Sequence, residues 1–520
     1  MTLLCIVVYA GIRFANAHTS AAEFSKIQIE TQDLPAPRMK PGPRLTSTAE
    51  SRNGSGAVQA TSADVFVDSV GVDTHWTFPP YFSHQDALIS LLVNSRIRHI
   101  RDGVISGAMR VLVKHGIHET MVIDPAHGVV PNKTYWSAAP RQSTYTVDEY
   151  IKTQMPAGAV DALEMPNELD VFYYLYKWQP QDTSTLSKDA SAPNYYGAYG
   201  EAVTRDCWQV IKSDPALRWI KIIGPTVGAQ VPSPYADGSL YDYVDWGGFH
   251  PYPGRANTWT QPQPYGTIAK YYWNSFEPSV NIGTDSYGGN PLMFDWYQKA
   301  FISNDMARPM AATESGYETA DSKGGISVAA QAKYIPRLFA EYFRDGIVRT
   351  FTYEFYDEGT DRKSSEANFG LVYNELTPKP AYTALSSLLR LLAEPGTQFS
   401  PGALNYSLTV QANGDYTRTG YVHDLLLQKS NGDFYLLLWH EISGTSDTDL
   451  SGNVLQTVQR DVQPPALTTT ITLPATVSGA TVYTYDKSWS LRPGNLTIAN
   501  HKVMLNVTDT ISIIRLSSSQ

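Results

Sequence analysis

The sequence predicts an α/β protein, a (β/α)8 TIM barrel followed by a C-terminal antiparallel β-sandwich. Three observations carry this. Between Val65 and Ala393, short apolar runs alternate with stretches of helical spacing, the pattern of strands joined by crossover helices. Two of these runs, Val160–Met165 and Met310–Thr313, lead into Asn167-Glu168 and Glu314-Ser315-Gly316, at the strand end where barrel enzymes keep their chemistry. From Phe399 onward the apolar period falls to two, with Gly, Asn and Pro turns between short runs. The expected division is a signal peptide over 1–17, a flexible linker over 18–64, the barrel over 65–395 and the sandwich over 396–520.

The chain has 520 residues, 42% hydrophobic, 17% charged and 12% aromatic, which is ample for a barrel of about 250 residues and a further domain. Its net charge of −10 argues against nucleic acid or an anionic membrane as partner. Abundant Trp and Tyr with modest charge suit a protein that stacks on neutral sugars. Leu3–Ile12 is apolar but too short to span a bilayer, and Ala15-Asn16-Ala17 has the small residues of a cleavage site. Export is therefore expected, to a secreted or periplasmic location, with no membrane insertion after signal removal. No Lys or Arg precedes the apolar run, which departs from the usual signal. Cleavage would remove Cys5 and leave Cys207 as a buried, inert thiol with no disulfide.

The barrel elements follow in order. Val65–Val72 reads as a strand leading to Asp73-Thr74-His75-Trp76, and Ser83–Ser95 as a helix with Leu88, Leu91 and Leu92 on one face. Ile97–Asp102 is a second strand, Gly107–His115 a helix, and Ile117–Ile123 a third strand ending at Asp124. Thr146-Val147-Asp148-Glu149 is a capping-box pattern opening the helix before the Asn-Glu strand. Pro166 cannot donate to a ladder, so that strand stops there and leaves Asn167 and Glu168 beyond its end. Tyr195–Lys212 is the next helix, Ile220–Gly224 the fifth strand, and Val244–Tyr252 the sixth, ending in His250-Pro251-Tyr252. Trp259, Trp273 and Trp296 lie among Pro, Tyr and Gly residues between strands six and seven, as candidate sugar platforms. After Glu314 come an amphipathic helix, Val328–Arg344, an eighth strand, Val348–Tyr356, and a last helix, Ala381–Leu392.

Two glutamates at the ends of separate strands are what retaining glycoside hydrolysis needs. One carboxyl donates a proton to the leaving oxygen, and the other attacks the anomeric carbon from about 5 Å away. Here the sequence resembles the clan A glycoside hydrolases, families 5 and 39 in particular: Asn167-Glu168 is similar to their strand-four pair, and Thr313-Glu314-Ser315-Gly316 to their strand-seven nucleophile. The resemblance implies that Glu168 is the acid/base, Glu314 the nucleophile, and Asn167 a partner of the sugar's 2-hydroxyl. It also implies that Arg101 and Tyr252 support the nucleophile, with His250 beside Tyr252. His75 and Trp76 are candidate substrate-binding residues after strand one. The clan often carries a Trp at the end of strand eight, and here Phe355 and Tyr356 are the candidates. Asn368-Phe369-Gly370-Leu371 and Pro378-Lys379-Pro380-Ala381-Tyr382 look like the family's closing segment.

In the sandwich region, Leu425–Lys429, a Ser430-Asn431-Gly432-Asp433 turn and Phe434–Trp439 make a hairpin, and Thr468–Leu473, Thr481–Tyr485 and Val503–Val507 continue the short strands. The expectation is a carbohydrate substrate, with no cofactor and no metal. Two other readings compete with it. One is a non-catalytic carbohydrate-binding protein on the same scaffold. The other is a metal hydrolase using Asp73, His75, Asp124, His127 and His250, whose spacing matches no dense ligand motif such as His-Glu-x-x-His.

Overall fold

The computed structural model describes residues 56–518 apart from 124–128, 134–144, 177–183, 229–233, 236–237, 253–298, 304–305, 323, 412–421, 443 and 447–456. The signal and most of the linker therefore lie outside the described residues, as do Trp259, Trp273, Trp296, Asp124 and His127. No described helix is long and apolar enough to cross a membrane.

Eight parallel strands make one sheet: β1 (Val70–Asp73), β2 (His99–Asp102), β3 (His118–Val122), β4 (Val160–Glu164), β5 (Lys221–Ile223), β6 (Gly247–Phe249), β7 (Met310–Ser315) and β8 (Arg349–Thr352). Their order is β6-β7-β8-β1-β2-β3-β4-β5. An Ile223–Trp246 bridge, with Gly224 N–H donating to Trp246 O at 2.9 Å, joins β5 to β6 and closes the barrel. Ala162, Ile223 and Ala311 form a small apolar cluster with Trp246 and Val348 packed on it. The helix before β4 opens as expected, with Thr146 N–H donating to the Glu149 carboxylate at 3.2 Å.

Two local expectations change. The run expected as strand Val65–Val72 is a helix, Ala63–Asp68, followed by the shorter β1. Ala63, Phe66, Val67 and Val70 are buried while Val65 is 53% exposed, which is the i, i+3, i+4, i+7 spacing of a helix entering a strand. The second change is at the linker's end. Gly56–Gln59 pairs with strand Ala403–Val410, and Thr61–Ser62 with strand Val422–Gln428, so 56–62 belongs to the sandwich. Asp64 then ties the crossing in place, receiving Arg98 at 2.5 Å and the Glu394 N–H at 2.7 Å. These segments carry little apolar periodicity because main-chain ladders at sheet edges hold them.

The sandwich has a four-stranded sheet, ordered 56–59, 403–410, 467–472, 502–507, and a six-stranded one, ordered 61–62, 422–428, 434–440, 512–518, 477–485, 491–495. Leu436, Leu438, Ile514 and Leu516 of the larger sheet pack with Leu404, Ile471 and Val503 of the smaller. Its other face, with Leu425, Leu427, Tyr435, Leu437, Trp439 and Ile513, shares a core with the barrel helices. This is why Phe434–His440 is buried along its whole length and reads as a continuous apolar run. Helix Val328–Arg344 carries the joint: Arg337, fully buried, holds Glu441 through Nη2 at 2.5 Å and Nε at 3.1 Å.

Candidate active site

The strand ends bring six of the expected residues into one cluster. Arg101 stands on β2 and Glu314 on β7, while Asn167 and Glu168 follow β4, and His250 and Tyr252 follow β6. Glu168 adopts a left-handed backbone (φ 42°, ψ 50°) that turns the chain from β4 into the short helix Leu169–Phe172. For a residue with a Cβ that conformation costs roughly 1 kcal/mol, a strain found most often at functional positions. Gly228, beyond β5, lies flat against this carboxyl. A Cβ there would sit 2.7 Å from Glu168 Cδ and 2.8 Å from Val171 Cγ2.

Arg101 is the hub. Its Nη1 donates to Glu314 Oε1 at 2.7 Å and to Asp73 Oδ1 at 3.3 Å, and its Nη2 to Asn167 Oδ1 at 2.7 Å. Glu164, the last residue of β4, grips the guanidinium from behind, accepting from Nε at 2.5 Å and Nη2 at 3.0 Å. Tyr252 donates its hydroxyl to the other Glu314 oxygen at 2.8 Å. Both oxygens of Glu314 are thus held. His250 Nδ1 sits 2.6 Å from Glu168 Oε1 and 3.7 Å from Glu314 Oε2. A Glu168 oxygen, a Glu314 oxygen and a His250 nitrogen all lie within 4.8 Å of one another.

The surroundings push the two carboxyls apart in acidity. For Glu168, burial and then the charges of Glu314 and Asp170 outweigh the His250 contact, and its pKa is raised above 4.5. Burial works the same way on Glu314, but the His250 and Arg101 charges and the Tyr252 hydrogen bond outweigh it and hold it lower. His250 itself is pushed up to about 10: burial opposes its charge, and Glu314, Glu164 and Glu168 overcome that. Asp73 lies well above the usual range, from burial and from Glu314 and Glu164 against the opposing Arg101. The cluster therefore sets two neighbouring carboxyls apart, Glu314 shifted down and Glu168 up, the direction of separation that a nucleophile and an acid require.

The remaining expected residues divide. His75 is at the mouth, with Nδ1 2.5 Å from Glu358 Oε1 and its ring 5.6 Å from that of Tyr353. Trp76 is 5% exposed and packs on Tyr81, its backbone N–H donating to Asp102 at 2.9 Å. Phe355 and Tyr356 do not reach the mouth. Both are fully buried, Phe355 beside Tyr382 and Tyr356 against Tyr81 with its hydroxyl on Asn374 O at 2.7 Å. The half-buried ring at the end of β8 is Tyr353, 6.4 Å from Tyr252 and 5.4 Å from Phe369. Of the metal-hydrolase set, Asp73 faces Arg101, His75 faces Glu358 and His250 faces Glu168. Glu164, Tyr353 and Gly228 are parts of the site that the sequence reading did not assign to it, and Asp73 entered that reading only as a candidate metal ligand. Only Glu164 carried a usable signal, as a carboxylate two positions along from Ala162 on a strand otherwise apolar on that face.

No family model matches the sequence, and comparison with curated proteins found no match. Solved structures do match in fold. A family 39 glycoside hydrolase from the gut symbiont Bacteroides cellulosilyticus superposes with a TM-score of 0.53 at 15% identity, covering 88% of this chain and 82% of that one. A family 51 α-L-arabinofuranosidase from Bifidobacterium longum gives 0.50 at 10% identity, covering 89% and 98%. A bifunctional glucanase-xylanase from a metagenome library gives the same 0.50 and 10%, also covering 89% and 98%. The shared architecture is a barrel with an appended β-sandwich. At these identities the likeness establishes the fold.

Proposed function

We propose that the protein is a retaining glycoside hydrolase of the clan A type, cleaving β-glycosidic bonds in a polysaccharide or oligosaccharide by double displacement. The observation that carries this reading is the approach of Glu168 and Glu314 oxygens to within 4.8 Å. Retaining enzymes hold their carboxyls at about 5–5.5 Å, whereas inverting ones leave about 6.5–9.5 Å for an intervening water. The fold neighbours, named as glycoside-cleaving enzymes, support the coarser part of this reading, that of a glycosidase.

In the first step Glu168 gives its proton to the glycosidic oxygen while Glu314 attacks the anomeric carbon. The C–O bond to the leaving sugar breaks and an ester to Glu314 forms. In the second step Glu168, now a carboxylate, takes a proton from water as that water displaces Glu314. His250 occupies Oε1 of Glu168, which leaves the acidic proton to Oε2. Arg101 occupies Oδ1 of Asn167, so the amide NH2 is left to donate to the sugar's 2-hydroxyl. A non-catalytic sugar binder has no need of two carboxyls in opposite protonation states. The Leu3–Ile12 run supports export of this enzyme to its substrate.

The test is the stereochemistry of the first-formed sugar, followed by proton NMR across a panel of β-glucans, xylan, mannan and aryl β-glycosides. The β anomer should appear first. Initial release of the α anomer would remove Glu314 from the nucleophile's role.

A further inference from the structure

Glu164 is completely buried at the carboxyl end of β4, and against that burial Arg101 and His250 hold its pKa below the usual value. Its two oxygens receive Arg101 Nε and Nη2, and its Oε1 also lies 3.7 Å from His250 Nε2, whose own hydrogen-bond needs are otherwise unmet. Four ionisable groups face it: Arg101 from β2, His250 from beyond β6, and, at longer range, Glu314 on β7 and Asp73 on β1.

On the reading of Glu168 and Glu314 as a retaining pair, we propose that Glu164 is a positioning residue that sets the working pH of the pair, by anchoring Arg101 and His250 between the two carboxyls. The geometry gives it two tasks. By filling Nε and one face of Nη2, it fixes the rotation of the guanidinium so that Nη1 points at Glu314 and Nη2 at Asn167. By its charge, it offsets the positive Arg101 and His250 together with Glu314, while Asp73 and Glu168 are the carboxyls shifted towards their neutral forms. Glu168 meets this set through His250, with Glu314, Asp170 and the Thr226 hydroxyl as its other polar neighbours. The upward shift of His250 to about 10 is consistent with that balance, since Glu164 is among its causes.

Removing the Glu164 charge leaves one uncompensated positive charge near both carboxyls, so both give up protons more readily. In Glu164→Gln, the acid and basic limbs of kcat/KM on an aryl β-glycoside should both move to lower pH, by about one unit or more. Glu164→Asp keeps the charge with a shorter reach. It should lose rate while its limbs stay where the native enzyme has them. A uniform rate loss with unmoved limbs in Glu164→Gln overturns the proposal and leaves Glu164 a packing residue. So does a displaced bell in Glu164→Asp, which decides the matter if the Gln variant does not fold. The native protein gives an independent reading through ¹⁵N NMR of the His250 ring, assigned by its loss in His250→Gln. The ring should be doubly protonated at pH 8, and a neutral ring there overturns the anchoring of His250. A native protein inactive on every glycoside defeats the retaining-pair reading, while the ring's protonation still decides the electrostatic claim.

Discussion

At the residue scale, the proposed division of labour rests on two neighbouring glutamates with opposite shifts. Glu314 must be ionised to attack, and its pKa is depressed, so activity should persist below the usual glutamate range and fall only as pH drops through that lowered value. Glu168 must hold a proton, and its pKa is raised, so activity should fall as pH climbs through that higher value. A bell results, whose limbs belong to the coupled pair; a rate rising monotonically from pH 4 to 9 would contradict it. Glu168→Ala separates the steps further. Losing the acid should cost roughly 10²- to 10⁴-fold on a natural sugar leaving group and little in the first step on dinitrophenolate. Because the second step loses its base, a glycosyl-enzyme should accumulate on Glu314, and azide should speed turnover and yield a β-glycosyl azide. A uniform defect, blind to azide, would mean that Glu168 is a structural carboxylate.

At the element scale, the placing of Glu168 depends on the segment after β5 as much as on its own strand. Gly228 leaves no room for a side chain because the Glu168 carboxyl and Val171 already fill the space. In Gly228→Ala the Glu168 carboxyl, the proposed acid/base, has to move, since its flexible end gives way more easily than the backbone. Activity on poor leaving groups should drop at least about tenfold more than on dinitrophenyl glycosides, with the melting temperature little changed. Equal losses on both substrates would show that the seat of Glu168 does not depend on this glycine. The end of β8 teaches a related lesson. β8 ends at Thr352, so the alternation of faces along a strand no longer assigns the side chains that follow it. Past that end Phe355 and Tyr356 both turn into the core, and Tyr353 lies beside Tyr252.

At the scale of the whole molecule, barrel and sandwich share a core. The larger sheet is buried on both faces, and 56–62 crosses into the sandwich before the barrel begins. Calorimetry should therefore show one cooperative transition, whereas two separated ones would mean that the domains unfold independently. The joint's ionic centre sharpens this. Arg337→Met takes the guanidinium away from the buried Glu441, whose remaining partners include the Trp439 indole, donating at 2.7 Å. Breaking such a pair costs about 3–5 kcal/mol, so the transition should fall by several degrees while the pH profile of activity stays in place. A variant as stable as the native chain would show that packing alone carries the joint.

What the sequence determined by itself is whatever depends on neighbours a few positions away. Pro166 ends β4, so Asn167 and Glu168 stand past its end; the Thr146 and Glu149 pair opens a helix; and the long helices follow from their apolar spacing. Helix Val328–Arg344 falls where its periodicity places it. Only the tertiary structure decided the rest, because it depends on partners distant in the chain. The short β-branched run 63–68 is a helix because its buried positions fall on one helical face. Glu164 meets Arg101, 63 residues earlier, only because the barrel sets their strands one strand apart. The acidities are decided in the same way: burial alone would raise both glutamates, and Arg101, His250 and Tyr252, gathered from β2 and the end of β6, reverse the sign at Glu314, while at Glu168 burial and the charges of Glu314 and Asp170 prevail over His250.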